Sequence, residues 1–251
     1  MKRKLLNNFT ILLISLVLLA GCTAEKETKI PTVEISKHSA VTPAHRLDWW
    51  GLRHQQVLDR IKKGNVDLIF IGDSITHSWE NAGGKIWDQY YGKRNAVNMG
   101  FGGDTTQHVL WRLQNGEIDG ISPRVAVVMI GTNNSNGDDN TAEEIADGIK
   151  AICRTLRTKL PRTKILLMAI FPRGQEPSPQ REKNDKASQI ASKIADGRMI
   201  HYININNKFL AKDGSVPKEI MPDYLHPNGK GYEIWAEAIE PKLAELMGEK
   251  K

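Results

Sequence analysis

Val125-Ala126-Val127-Val128-Met129-Ile130-Gly131-Thr132-Asn133-Asn134 is a run of six apolar residues that breaks into a glycine and three polar residues. A strand with one wet face alternates apolar and polar side chains. An unbroken apolar run instead predicts a strand covered on both faces, as in a parallel sheet between two layers of helices. Four more apolar runs lie at residues 66–71, 96–99, 165–170 and 199–205. Stretches with helical spacing flank them, at residues 45–63, 85–91, 105–115, 142–159, 180–195 and 229–246. Asn140-Thr141 marks the start of the helix over 142–159, and Glu143 and Glu144 suit its positive end. This alternation predicts an α/β protein, a three-layer α/β/α sandwich around a parallel sheet.

In such a sheet, ligands bind beyond the carboxyl ends of the strands. Ser74 follows the first run, in VDLIFIGDSITHSWE (residues 66–80). Gly103 follows the second, in Gly100-Phe101-Gly102-Gly103, and Asn133 follows the third. Three candidates therefore emerge on one edge of the sheet. Far downstream, Asp223-Tyr224-Leu225-His226 places a carboxylate and an imidazole three residues apart, bracketed by Pro222 and Pro227.

These residue types suit acyl transfer. A serine hydroxyl is a weak nucleophile until a base takes its proton. Histidine serves as that base, and a carboxylate fixes its tautomer. The developing oxyanion needs donors, which the Ser74 and Gly103 backbone N–H groups and the Asn133 amide can supply. Glycine at 103 lets main chain approach a ligand closely. Each piece has a plainer reading: Ser74 and residues 131–134 as turns, Asp223-x-x-His226 as a cap, residues 100–103 as a phosphate loop. The phosphate loop lacks the third glycine of a dinucleotide fingerprint and the Gly-Lys-Ser/Thr of a nucleotide loop. Joint occurrence, in order and at strand ends, is what argues for one site.

The sequence around these blocks offers further candidates. His77 is an alternative base, but one helical turn after Ser74 it points elsewhere. His108 reads as packing or surface. Asp73 reads as a turn or cap residue and, with Phe101, Arg173 and Tyr224, as a candidate substrate contact. Trp79, Phe101 and Tyr224 either stack a sugar or fill the core, while Arg173, in FPRGQEPSPQ (residues 171–180), reaches toward the rim. Asp138-Asp139-Asn140 looks like half a calcium loop without its downstream Glu. No metal and no cofactor is expected.

The segments GDSI (72–75), GGD (102–104), GTNN (131–134) and DYLH (223–226) resemble the four blocks of the SGNH, or GDS-type, hydrolases. NMGFGGDTTQHVLWRLQNGEI (98–118), with VVMIGTNN and TAEE after it, further resembles the branch of platelet-activating-factor acetylhydrolase catalytic subunits. Similarity runs from about residue 66 to 238. The resemblance implies a flavodoxin-like sheet of five strands in the order 2-1-3-4-5. It also implies Ser74 as nucleophile, His226 as base, Asp223 as the orienting acid, and Ser74, Gly103 and Asn133 as the oxyanion hole. Ile75 replaces the Leu that names the GDSL group, and the segment 45–63 has no counterpart expected in the intracellular acetylhydrolases.

With 251 residues, 40% of them hydrophobic, the chain can build one sizeable core. The first 22 residues have a basic start, an apolar stretch from Phe9 to Ala20, and Leu19-Ala20-Gly21-Cys22, which resembles a lipoprotein box. The apolar stretch is short for a bilayer span and reads as an export signal. Acylation of Cys22 would then hold the protein at a membrane of the bacterial envelope, each buried methylene contributing about 0.8 kcal/mol. Removing Lys2, Arg3 and Lys4 with the signal lowers the formal charge of +6 to about +3. The remaining cations are mixed with acids, so no nucleic-acid partner is expected. Residues 23–44 read as a tether and 45–251 as the catalytic domain. Cys153, alone once Cys22 is acylated, reads as a packing residue.

The expectation is an exported serine esterase that removes acetyl or another short acyl group from a carbohydrate or small-molecule alcohol through an acyl-enzyme. Alternatives are a lysophospholipase or thioesterase, and a glycan-binding surface lipoprotein without turnover. A homodimer is compatible with the acetylhydrolase resemblance.

Overall fold

The structure, a computed structural model, describes residues 38–249. The expected signal, Cys22 and most of the expected tether lie outside the described residues.

Five strands, β1 (Leu68–Gly72), β2 (Ala96–Gly100), β3 (Val125–Met129), β4 (Lys164–Met168) and β5 (Ile200–Ile203), form one sheet in the order β2-β1-β3-β4-β5. Every neighbouring pair is parallel, with Ile69 opposite Val97 and Ala126, and Ile165 opposite Ile200. All five residues of β1 and of β3 are buried. Alternate residues serve two different cores, which is why the runs carry no polar alternation.

On one face, Ile69, Ile71, Val97, Ala126 and Val128 meet α1 (Trp50–Lys62), α4 (Thr106–Gln114), α5 (Ala142–Lys159) and α6 (Pro179–Ser192). On the other, Leu68, Phe70, Val127 and Leu166 meet α3 (Gly84–Tyr90) and α7 (Gly229–Met247), whose Trp235, Ile239 and Leu243 are fully buried. A four-residue helix, α2 (Ser74–His77), follows β1 directly. Burying each Leu or Ile contributes about 1.5–3 kcal/mol, so the two cores supply most of the stability. Cys153 lies in the first core with no exposure, and burial pushes its thiol up to about 12, far from nucleophilic use.

Two expectations need correction. The first helix begins at Trp50 and not at residue 45, because Asp48 turns its carboxylate back onto the Trp50 N–H (3.1 Å). Residues 38–44, expected as tether, pack on the domain: Ala40 is fully buried, and its carbonyl accepts the Thr106 hydroxyl (2.8 Å). Small side chains and free backbone groups let this stretch lie flat, although it has no periodicity to announce it.

Candidate active site

Asp73 caps α2, its carboxylate accepting the Ile75 N–H (3.0 Å), and so sets Ser74 at the first helical position. The helix lies hard against the sheet. A Cβ on Gly100 would stand 2.2 Å from the His77 nitrogen, and one on Gly72 would stand 2.1 Å from Thr76 Oγ1. The Tyr232 hydroxyl, from α7, donates to the Ile75 carbonyl (2.6 Å) and holds α2 from the other side. The Ser74 hydroxyl is thereby fixed over the point where strand order reverses.

That hydroxyl donates to His226 Nε2 at 2.8 Å, across 152 residues of sequence. His226 Nδ1 donates to Asp223 Oδ2 at 2.6 Å. The other Asp223 oxygen accepts the Leu225 and His226 backbone N–H groups at 3.0 and 2.7 Å. An ionised carboxylate only accepts, so Nδ1 carries the proton and Nε2 is left to accept from serine. Partial burial raises the Asp223 pKa, but the imidazole and the two N–H groups outweigh it and hold the carboxyl below its usual range. Tyr224, between the acid and the imidazole, has φ +59° and is half-buried, its carbonyl accepting the Gly174 N–H (2.8 Å). A non-glycine residue in that region marks a loop whose shape is dictated by its contacts.

Gly103 has φ +77° and is exposed, and its N–H makes no hydrogen bond among the described residues. Asn133 Nδ2 donates to the Asp104 carbonyl (2.8 Å), which ties the end of β3 to the Gly103 loop and leaves one amide hydrogen over. Asp104 itself is fully buried, accepting Trp50 Nε1 (2.8 Å) and Arg112 Nε (2.9 Å). Arg112 also pairs with buried Glu117, which holds His54 Nδ1 at 3.0 Å. This charged cluster underlies the loop, and nothing in the spacing of its members along the chain foretold it. The arrangement can move a proton from serine to imidazole beside donors able to hold an oxygen anion.

Several candidates land elsewhere. Asp73 is 1% exposed and occupied as a cap, so it does not reach a substrate; burial pushes its pKa up to about 7. Phe101 has no exposure and lies under the Arg112 guanidinium at 4.0 Å, so it is core. Trp79 is likewise fully buried. Arg173 is half-buried and donates to the Thr132 carbonyl (2.9 Å) and to Asn136 Oδ1 (3.2 Å), bracing the loop after β3. His77 faces Gly102, whose N–H donates to its Nδ1 (3.3 Å), and is not Ser74's partner. His108 closes the cap of α4 through the Thr105 N–H (3.1 Å). Among the described residues no three His, Cys, Asp or Glu side chains cluster as metal ligands.

Residues 70–234 match the GDSL-like lipase/acylhydrolase family. Over 206 residues the chain is 37% identical to platelet-activating factor acetylhydrolase IB subunit alpha2 of Rattus norvegicus, covering 80% of this chain and 86% of that one. Such coverage exceeds the part of the chain after Val66, so the likeness reaches back into α1, contrary to the expectation for residues 45–63. A GDSL-like lipase from Bacteroides thetaiotaomicron superposes with a TM-score of 0.59 at 20% identity, covering 78% of this chain and 96% of that one. An acetylxylan esterase from Geobacillus stearothermophilus gives 0.57 at 20% identity, with 74% and 95% covered. At that identity the two structures speak for the fold alone.

Proposed function

The chain belongs to the GDSL-like lipase/acylhydrolase family and is a carboxylic ester hydrolase, and from that premise we propose that it cleaves short-chain, chiefly acetyl, esters of carbohydrate or small-molecule alcohols through an acyl-enzyme. The observation that carries this reading is the unbroken series Ser74–His226–Asp223, at 2.8 and 2.6 Å. The acetylhydrolase relative, by its name, supports the short acyl group.

Ser74 Oγ attacks the ester carbonyl as its proton passes to His226 Nε2. The carbonyl oxygen, now an anion, takes hydrogen bonds from the Ser74 and Gly103 N–H groups and from Asn133, each typically supplying about 3–4 kcal/mol. The imidazolium, steadied by Asp223, gives its proton to the departing alcohol oxygen as the C–O bond breaks. Water then attacks the acyl-serine with His226 again as base, returning carboxylic acid and free Ser74.

Fluorophosphonate labelling tests the assignment. Wild-type protein should label at Ser74, while Ser74→Ala should neither label nor hydrolyse p-nitrophenyl acetate. Full activity in that variant would refute the nucleophile. Rates along an acyl-chain series should drop beyond acetate and propionate; a preference for long chains would favour a lipase instead. Anchoring in the cell envelope through an acylated Cys22 belongs to the same proposal, and palmitate incorporation should vanish in Cys22→Ala.

A further inference from the structure

The exposed large hydrophobic side chains among the described residues, Leu47, Trp49 and Leu52, stand close together in one stretch of sequence. That stretch ends a strap, residues 38–49, which runs along the catalytic edge of the sheet. Ser39 Oγ accepts Asn140 Nδ2 (2.9 Å) beside the start of α5, and the Ala44 N–H donates to the Gln107 carbonyl (3.1 Å) in the first turn of α4. A Cβ on Gly148 would lie 2.7 Å from the Ala40 carbonyl, so the strap seats in a groove that only glycine leaves open. Arg46 Nη1 donates to the Gly102 carbonyl (2.8 Å), and its guanidinium lies 3.2 Å from where a Gly103 Cβ would be.

Trp49 follows. Its indole is stacked on the His77 imidazole, centroids 5.8 Å apart and planes 27° from parallel. Its benzo edge is 3.6 Å from where a Gly102 Cβ would be. His77 closes the helix that Ser74 opens, and Gly102 precedes the Gly103 donor. The ring is thus fixed by the serine's helix and by the neighbouring loop, yet 44% of its surface stays open. Its charged neighbour is already matched: Arg46 meets Asp48 at 3.0 Å and Asp104 at 3.4 Å. Among the described residues, no unmatched cation beside the ring therefore invites a phosphate or carboxylate. The Arg46 guanidinium lies over the indole, 5.7 Å from its centroid, with its charge met by the two carboxylates; the part of the ring left open suits the CH face of a sugar ring, whose hydroxyls stay at the wet rim.

Resting on the esterase reading above, the geometry points to Trp49 as a specificity residue that selects a neutral pyranose as the alcohol half of the ester. The strap delivers this platform from outside the four motif blocks, beside the Gly103 loop.

The test compares kcat/KM for acetylated methyl xylopyranoside and for ethyl acetate in the full chain and in Trp49→Ala, Trp49→Leu and Trp49→Phe. The ratio of sugar ester to acyclic ester should fall at least ten-fold in Ala and Leu, through KM for the sugar ester, and recover largely in Phe. Leu keeps bulk without a flat face and carries the test if Ala misfolds. A wild-type enzyme with no preference for the pyranoside overturns the platform, as does an unchanged ratio in Ala and Leu. A parallel kcat loss on both esters overturns it too, since that marks a structural role. Loss of self-association or of vesicle binding with the ratio intact would assign Trp49 to a docking face and likewise overturn the platform. Fluorophosphonate labelling of Ser74 runs alongside: absent labelling in wild type sinks the esterase reading itself, whereas normal labelling with an unchanged ratio sinks only the platform.

Discussion

Asp223 shows how much one carboxylate can decide. It accepts the imidazole proton and two backbone N–H groups at once, so replacing it with Asn keeps the loop but removes the tautomer lock. Asp223→Asn should lower kcat by the order of 10⁴, by analogy with other triads. Because hydrogen bonds hold the Asp223 carboxyl below its usual range, it keeps its charge as the medium turns mildly acid. Serine can give its proton only to an unprotonated base, so kcat/KM should decline toward acid, measurable as a pH profile. Asp73 behaves oppositely. Burial raises its pKa from 3.8 to about 7, so the folded protein favours the protonated form. That contribution to stability is complete below about pH 4 and is lost as pH rises through about 7. Asp73→Asn, which still caps α2, should gain on wild type over that window by up to about 4 kcal/mol in urea unfolding; an equal gap at pH 5 and pH 8 would contradict the assignment. At this scale the sequence was legible where chemistry forces a residue type, as at Ser74 and His226. Where environment decides it left two readings open: Asp73 as cap or substrate contact and Phe101 as core or substrate contact, and both prove sealed, as a cap and as core.

The elements were easier to read than their junctions. Val125 to Met129 and its neighbours announced strands because both faces are covered, and α5 spans Ala142–Lys159, as its start signal and apolar spacing implied. Two features carried no such signal. The strap has no period, since its contacts are backbone groups and small side chains. Trp49 and Trp50 are adjacent in sequence, yet one is open and the other sealed, because the helix starts between them. The fit of α2 on the sheet is a further junction that only packing reveals. Gly100→Ala should push α2 and its Ser74 outward, because the new methyl meets backbone and not a movable side chain. Overpacking of this sort typically costs about 1–3 kcal/mol. The thermal midpoint should fall, and fluorophosphonate labelling at Ser74 should slow by more than the lost stability explains.

For the whole molecule, two hydrophobic cores carry the fold, and one buried charged cluster ties the first of them to the Gly103 loop. Asp104, Arg112, Glu117 and His54 look like ordinary surface residues in a linear reading, and only the closed fold brings them together. Arg112 bridges the two buried acids of that cluster, with no exposure of its own, while Arg46 reaches Asp104 at 3.4 Å and His54 reaches Glu117 at 3.0 Å. Arg112→Met should destabilise by about 3–5 kcal/mol in chemical denaturation, because it takes the bridging cation from two buried carboxylates at once. A loss under 1 kcal/mol would mean that the acids are held by other partners. The two ends of the described chain also leave the domain differently. The strap enters along the catalytic edge, whereas Arg124 and Lys164, at the starts of β3 and β4, donate to the carbonyls of Met247 and Leu246. Cargo fused ahead of His38 therefore crowds the mouth, and cargo fused behind residue 249 hangs from the far rim. Grafted to a resin by its tail, the enzyme would still meet bulky polymers; grafted by its front, it would admit only small ones.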